Sequence, residues 1–182
     1  VSKGEIVGVC GLVGAGKTAL CKLLFGANKC ASGEILLAGK ALACRTPTQA
    51  VKNKIALVPE ERRKEGVLVT EPVYFNLSAA CLGKFCDRFS FVNKKKEIQN
   101  AEKLVGDLGI KTPSVHQKVR LLSGGNQQKF VVGREFERDP ALVVATHPTR
   151  GVDIGSTEFI HDRLLDLRRE GAAILLVSSK LD

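Results

Sequence analysis

"GLVGAGKT", Gly11 to Thr18, stands between the apolar run "GEIVGVC" (Gly4 to Cys10) and "ALCKLLFG" (Ala19 to Gly26). The first flank has the length and content of a strand. The second reads as a helix with Leu20, Leu23 and Leu24 along one side and Gly26 as its stop. Between them the sequence matches G-x-x-x-x-G-K-[ST] at every fixed position, Gly11, Gly16, Lys17 and Thr18, with Gly14 as an additional glycine beside Ala15. Glycines let the backbone curl until successive N–H groups point at phosphate oxygens, and the following helix offers its positive end to the same charge. Lys17 is placed to reach the β- and γ-phosphates, and the Thr18 hydroxyl to ligate Mg²⁺. A glycine turn that merely joins strand to helix is the plainer alternative. The order strand, loop, helix favours the phosphate cradle.

Outward from this loop, "EILLAG" from Glu34 reads as a short strand, followed by a polar segment with Pro47, and "KIALVPEE" from Lys54 as a strand closed by Pro59. From about Thr70 to Pro140 the spacing becomes helical, most clearly in "KKKEIQNAEKLVGDLG", where Ile98, Ala101, Leu104, Val105 and Leu108 recur on one face. A strand at Leu142 to Ala145, a helix at Ser156 to Arg169 and a strand at Ala173 to Val177 close the chain. This alternation predicts an α/β fold of parallel strands and crossover helices. One domain over 1–182 is expected, with 1–69 and 141–182 as the α/β core and 70–140 as a helical subdomain. Val1 opens almost directly on a strand, and no covering helix follows the last one, so both ends read as truncated.

The chain has 182 residues, 44% apolar and 26% charged, which describes an ordinary globular protein. Its longest apolar runs, "ALVVA" and "AAILLV", are far below the roughly 18 to 20 residues of a membrane span, and no signal peptide opens it. Six cysteines, at 10, 21, 30, 44, 81 and 86, include no C-x-x-C pair. Cys10 and Cys21 lie in apolar stretches and are expected to act as small hydrophobes, in a reduced intracellular setting. The histidines at 116, 147 and 161 are too dispersed for a metal cluster. The net charge of +9 invites an anionic partner. However, "ERRKEG" and "NKKKE" are diluted by glutamates, and aromatics are only 5%, so nucleic acid is not expected as a partner.

"LLSGGNQQK" (Leu121 to Lys129), followed after one helix by an apolar strand and "PTRGVD" (Pro148 to Asp153), adds a second set of motifs in a fixed order. Together with the glycine loop they resemble the ATP-binding cassette of ABC transporters over almost the whole chain. The resemblance implies a P-loop NTPase (ABC ATPase) core and two cassettes meeting head to tail, each ATP lying between one loop and the other's signature. It assigns Leu122, Ser123, Gly124, Gly125, Asn126 and Gln127 to the signature that meets a partner's ATP, and Asp153 to the D-loop. Ser123 also suits a helix cap. "VPEERRKEG", "LSGGNQQK" and "PTRGVD" resemble the second cassettes of importers for simple sugars and nucleosides; "TPSVHQKVRLLSGGNQQK" and "STEFIHDRLL" lean toward the nucleoside branch. The implied setting is the cytoplasmic face of the membrane, against permease subunits and a second cassette, with ATP and Mg²⁺ as ligands. The aromatic residue that stacks on adenine is expected upstream of Val1.

Active cassettes of this kind end the strand before "PT" in Asp-Glu, where Thr146 and His147 stand here. The aspartate orients Mg²⁺ and the glutamate polarises the attacking water. Ser179 occupies the position of the histidine that closes over the γ-phosphate, and Glu60 that of the glutamine before the helical insert. The resemblance therefore implies a loop that keeps ATP but turns it over poorly, and a signature useful to an intact partner site. An independently active ATPase would need His147 or another base in its place.

Overall fold

A computed structural model describes residues 1–12, 14–42 and 46–179. Val13 of the glycine loop and Cys44 lie outside the described residues. In chain order the elements are β1 (Ile6–Cys10), α1 (Lys17–Leu24), β2 (Leu36–Leu37), β3 (Lys40–Ala41), α2 (Pro47–Lys52), β4 (Ile55–Val58), α3 (Val73–Ala79), α4 (Lys94–Asp107), α5 (Gly124–Phe136), β5 (Leu142–Thr146), α6 (Ile154–Arg169) and β6 (Ala173–Ser178).

The chain divides into two compact units. The first holds Val1–Glu60, Asp139–Pro148 and Arg163–Asp182; the second holds Glu61–Arg138 and Thr149–Asp162. The division falls after Glu60, not after residue 69, and 149–162 group with the helical residues. The cause is tertiary: the Arg62 guanidinium donates to the carbonyls of Arg150 at 2.8 Å and Gly151 at 3.1 Å, tying the turn after β5 to the segment after β4.

In the first unit β1, β6, β5 and β4 form a parallel sheet in that order. Register pairs Cys10 with Ser178, Thr146 with Val177, and Val58 with Ala145, so the four C-terminal strand ends emerge along one edge. Cys21, Ala50, Ile55, Val144, Leu175 and Val177 make a buried cluster, which is why these strands read as apolar runs without alternation. Cys21 behaves as the small hydrophobe expected. Cys10 does not, because it ends a sheet-edge strand and is exposed.

Two local readings are refined. "EILLAG" holds the short strand expected, β2, but it is not part of the parallel sheet: β2 and β3 form a separate antiparallel hairpin, turned by Ala38 and Gly39 at φ 50° and 76°. The polar segment around Pro47 is the helix α2, with Pro47 in its first turn and the Thr46 hydroxyl accepting the Gln49 N–H at 3.3 Å.

The second unit is built on α3, α4 and α5. Glu97, Ala101 and Leu104 are the buried positions of α4, and Leu108 continues that stripe at 4% exposure, while Ile98 and Val105 are only half-buried. The Glu97 carboxylate accepts the Ser78 hydroxyl of α3, so the one buried charge of this face has a partner. A single π-helical turn, Arg62–Gly66, opens the unit.

Candidate nucleotide-binding site

The glycine loop leaves the end of β1 and enters α1 through Gly16, at φ 80°, after Gly14 at φ 87°. These left-handed conformations exclude most residues with a Cβ, which explains the glycines there. Gly16 caps α1 without a side chain, and the first turn of α1 holds no acidic residue. The helix's positive end is therefore left for an external anion. Lys17 Nζ arches back over the loop and donates to the carbonyls of Gly11 at 2.6 Å and Leu12 at 2.7 Å.

A cleft of about 230 Å³ opens here, lined by Gly14, Ala15, Gly16, Lys17, Thr18, Ala19, Glu60, His147 and Ser179. Glu60 lies two residues past β4, His147 directly after β5 and Ser179 directly after β6. The cleft thus sits at the carboxyl edge of the parallel strands, where ligands of such sheets bind. Gly11 acts through its carbonyl, by holding Lys17. The Thr18 hydroxyl donates to Glu60 Oε2 at 2.8 Å. Among the described residues, Glu60 is the only carboxylate lining the cleft.

His147 takes a left-handed backbone at φ 46°, and its N–H donates to the Val177 carbonyl at 2.8 Å, fixing the turn that ends β5. Thr146 is withdrawn behind it at 1% exposure and does not line the cleft. The Cys21 thiol lies close to it: burial pushes that thiol up, and the Thr146 hydroxyl opposes the rise. Thr146 Oγ1 is buried and makes no regular hydrogen bond among the described residues.

The second group of motif residues gathers at the start of α5. Ser123 caps this helix, its hydroxyl oxygen accepting the Asn126 N–H at 3.3 Å and the Asn126 amide Nδ2 at 3.0 Å. Asn126 Oδ1 in turn accepts the Lys111 N–H at 3.0 Å. Gln127 is fully buried, donating from Nε2 to the carbonyls of Val119 and Leu122 at 3.1 Å each, and Leu122 is 5% exposed. These two belong to the inside of the turn. The side chains of Leu122 and Gln127, which the resemblance assigns to the signature, are thus buried within this chain, while Ser123 is exposed.

Gly124 and Gly125 allow close approach. A Cβ on Gly124 would stand 2.6 Å from Arg62 Nη2, and one on Gly125 2.3 Å from Asp153 Oδ2 and 2.4 Å from Ser156 Oγ. Asp153 accepts the Ser156 N–H and hydroxyl, both at 2.9 Å, and the backbone N–H first, then the hydroxyl, holds its carboxyl below the usual range. Its carboxylate is thus committed to the start of α6. Arg62 was not a candidate on sequence. It belongs to a run that reads as solvated charge, and its carbonyl partners lie 88 and 89 residues away.

A parallel sheet with a phosphate loop at its carboxyl edge, and a serine-capped glycine turn opening a helix, define a nucleotide-binding cassette. The family model described as ABC transporter matches residues 1–150, and the chain belongs to that family. Over 179 residues it is 41% identical to the putative ribose/galactose/methyl galactoside import ATP-binding protein 3 of Burkholderia cenocepacia (strain HI2424), covering 98% of this chain and 35% of that protein. It is 44% identical over 184 residues to the arabinose import ATP-binding protein AraG of Mannheimia succiniciproducens, covering 100% of this chain and 36% of that one. The chain spans about a third of the length of these relatives. Its fold matches the dimeric structure of a bacterial ABC transporter cassette with a TM-score of 0.81, at 20% identity over 100% of this chain and 77% of that one.

Proposed function

We propose that this chain is a nucleotide-retaining cassette, the second (C-terminal) one of an importer's ATP-binding protein. It holds ATP on Gly11–Thr18 and lends its signature turn, Ser123 to Gly125, to an intact partner site. The observation that carries this is the cleft itself: it is lined by Gly14, Ala15, Gly16, Lys17 and Thr18, but with Thr146 and His147 at the end of β5 and Ser179 at the end of β6. Backbone N–H groups and Lys17 would bind the phosphates, Lys17 exchanging two carbonyls for charged oxygens. His147 fills the place of a water-polarising carboxylate, with its backbone pinned to Val177.

The family implies Mg²⁺ beside the phosphates. Thr18 Oγ1 and Glu60 Oε2, 2.8 Å apart, are hard oxygen donors of the kind this ion accepts together with substrate phosphates, so the residues fit. When bound, the ion would supply charge neutralisation to the phosphates. Each lost transition-state contact commonly costs about 10² to 10³ in rate. Two or more changed groups therefore favour binding without turnover.

The relatives' names, ribose, galactose and arabinose importers, support a simple sugar as the transported solute. The nucleoside alternative rests on the two stretches quoted above. No helix among the described residues is long and apolar enough to cross a membrane. Transport in this reading requires permease subunits, with the cassette on their cytoplasmic face.

ATP binding and turnover measured separately, on this chain alone and with its partner cassette, test the reading. The expected result is binding lost in Lys17→Ala, negligible turnover alone, and turnover gained in the double variant Thr146→Asp/His147→Glu. Brisk turnover by the unmodified chain, abolished by His147→Ala, would overturn it.

A further inference from the structure

The segment between α3 and α4, residues 80–93, closes on itself and leaves apolar residues outside. Phe85, at the end of the short 3₁₀ turn Leu82–Phe85, is buried at 7% and anchors it, its carbonyl accepting the Asn93 N–H at 2.7 Å. Beyond this anchor Cys86 and Val92 form an antiparallel bridge, and the Asp87 N–H donates to the Phe91 carbonyl at 2.9 Å. The Asp87 carboxylate braces the tip from within, accepting the N–H groups of Phe89 at 2.8 Å and Phe91 at 3.0 Å. On this braced tip Phe89 is 66% exposed and Phe91 72%, with Val92 next in the chain at 41%. Single exposed apolar side chains are ordinary. Three within four positions of an ordered turn, two of them aromatic, mark an interaction surface.

The charge of the same segment selects what covers it. Lys84, Arg88, Lys94, Lys95 and Lys96 are all exposed, and Asp87, the one acid from 84 to 96, is committed to the turn. Glu97, which dilutes the lysine run in the sequence, is withdrawn in the fold: it is 2% exposed, with its carboxylate taken by the Ser78 hydroxyl and by Lys94 at 3.8 Å. The Arg88 guanidinium lies over the Phe89 ring, 4.7 Å from its centroid, so cation and aromatic meet a partner together. Lysine is depleted from protein–protein interfaces. Phenylalanine set among lysine and arginine is instead the composition that seats in the headgroup region of an anionic bilayer. We infer that this tip docks on an anionic lipid surface, Phe89 and Phe91 entering the boundary between headgroups and acyl chains while the cations meet lipid phosphates. The inference rests on the cytoplasmic-face placement proposed above, because that leaflet carries the anionic lipid. It gives the cassette a hold on the membrane separate from its permease subunits.

The sequence contains no tryptophan, so Phe89→Trp introduces a single fluorescent reporter. With the whole chain and vesicles of mixed phosphatidylglycerol and phosphatidylcholine, its emission should shift to the blue, be quenched by brominated acyl chains, and revert in high salt. Binding to the mixed vesicles, read by cosedimentation, should fall about a hundredfold in Arg88→Gln/Lys95→Gln/Lys96→Gln, at about fivefold per cation. The variant Phe89→Ala/Phe91→Ala keeps every charge and alters only exposed side chains, and should weaken binding by about tenfold or more. Equal binding by the parent and this phenylalanine variant would mean that net charge alone adheres, and the inference fails. It fails also if the reporter stays unquenched, or if the tip is shielded only when permease protein is added, which assigns it to a protein partner. The vesicle assay holds neither nucleotide nor permease, so its failure leaves the cassette reading standing. Absence of ATP retention strikes that reading without touching this one.

Discussion

Gly133, in the interior of α5, is the position where two opposing effects can be weighed most directly. Replacing an interior helical glycine with alanine ordinarily stabilises by about 1 kcal/mol, since alanine loses less backbone entropy. Here the added Cβ would lie 2.2 Å from Leu108 Cδ1, 2.6 Å from Cδ2 and 2.9 Å from Cγ. Leu108 is 4% exposed and closes α4, and comfortable carbon contacts begin near 3.5 Å. All three outer carbons of the leucine collide, so turning one methyl aside gives no relief. Either the side chain leaves its rotamer or α5 moves. Overpacking of this kind costs about 1 to 3 kcal/mol, and the absence of a cheap escape argues for the upper part of that range. The net expectation for Gly133→Ala is a loss of about 1 to 2 kcal/mol, read as a lower urea midpoint at unchanged slope by helical circular dichroism. Leu108→Ala alone should cost about 2 to 5 kcal/mol through its cavity. The pair together should be less damaging than the sum by about 1 to 3 kcal/mol, because the new methyl enters the vacated space. A Gly133→Ala protein as stable as the parent, or strict additivity in the double variant, would refute this account of how α4 and α5 pack.

Two further outcomes follow from the turn around α5. Arg62→Ala should lower stability by about 1 to 2 kcal/mol, hydrogen bonds from a charged donor being discounted for partial exposure, and should hasten hydrogen exchange at 150–153; Arg62→Lys should recover little, because an ammonium cannot span two carbonyls as a planar fork does. Asp153 titrates below its ordinary range in the folded state, so its contribution is present above the unfolded value near 3.9 and lost as pH falls through the depressed one. Thermal melts of Asp153→Asn should accordingly lie below the parent near neutrality and converge with it in acid; a constant gap across pH would contradict the cap.

How far the site was legible can be judged from single residues. Lys17 was readable because its constraints are local: a strand end, a glycine arc and a helix start follow one another within the chain, and its amine bonds the carbonyls of Gly11 and Leu12 in the same loop. Ser123 was readable for the same reason, as a capping residue before a helix. Gln127 was not, since its membership of a motif says nothing about which face of α5 it occupies; its full burial comes from carbonyls at Val119 and Leu122 that only the folded turn presents. The helix at Pro47 carried a usable signal, a Thr-Pro start, which polarity obscured.

By itself, then, the sequence determined the α/β class and the succession of strand, glycine loop and helix that presents Lys17 and Thr18, because these depend on residue identity and on neighbours a few positions apart. Tertiary structure alone decided that Glu60 meets Thr18 across 42 residues and that Arg62 grips the turn at Arg150 and Gly151. It also decided that Thr146 is sealed behind the cleft while His147 lines it. Strand order and register bring these groups together, and neither is written in the spacing of a single segment.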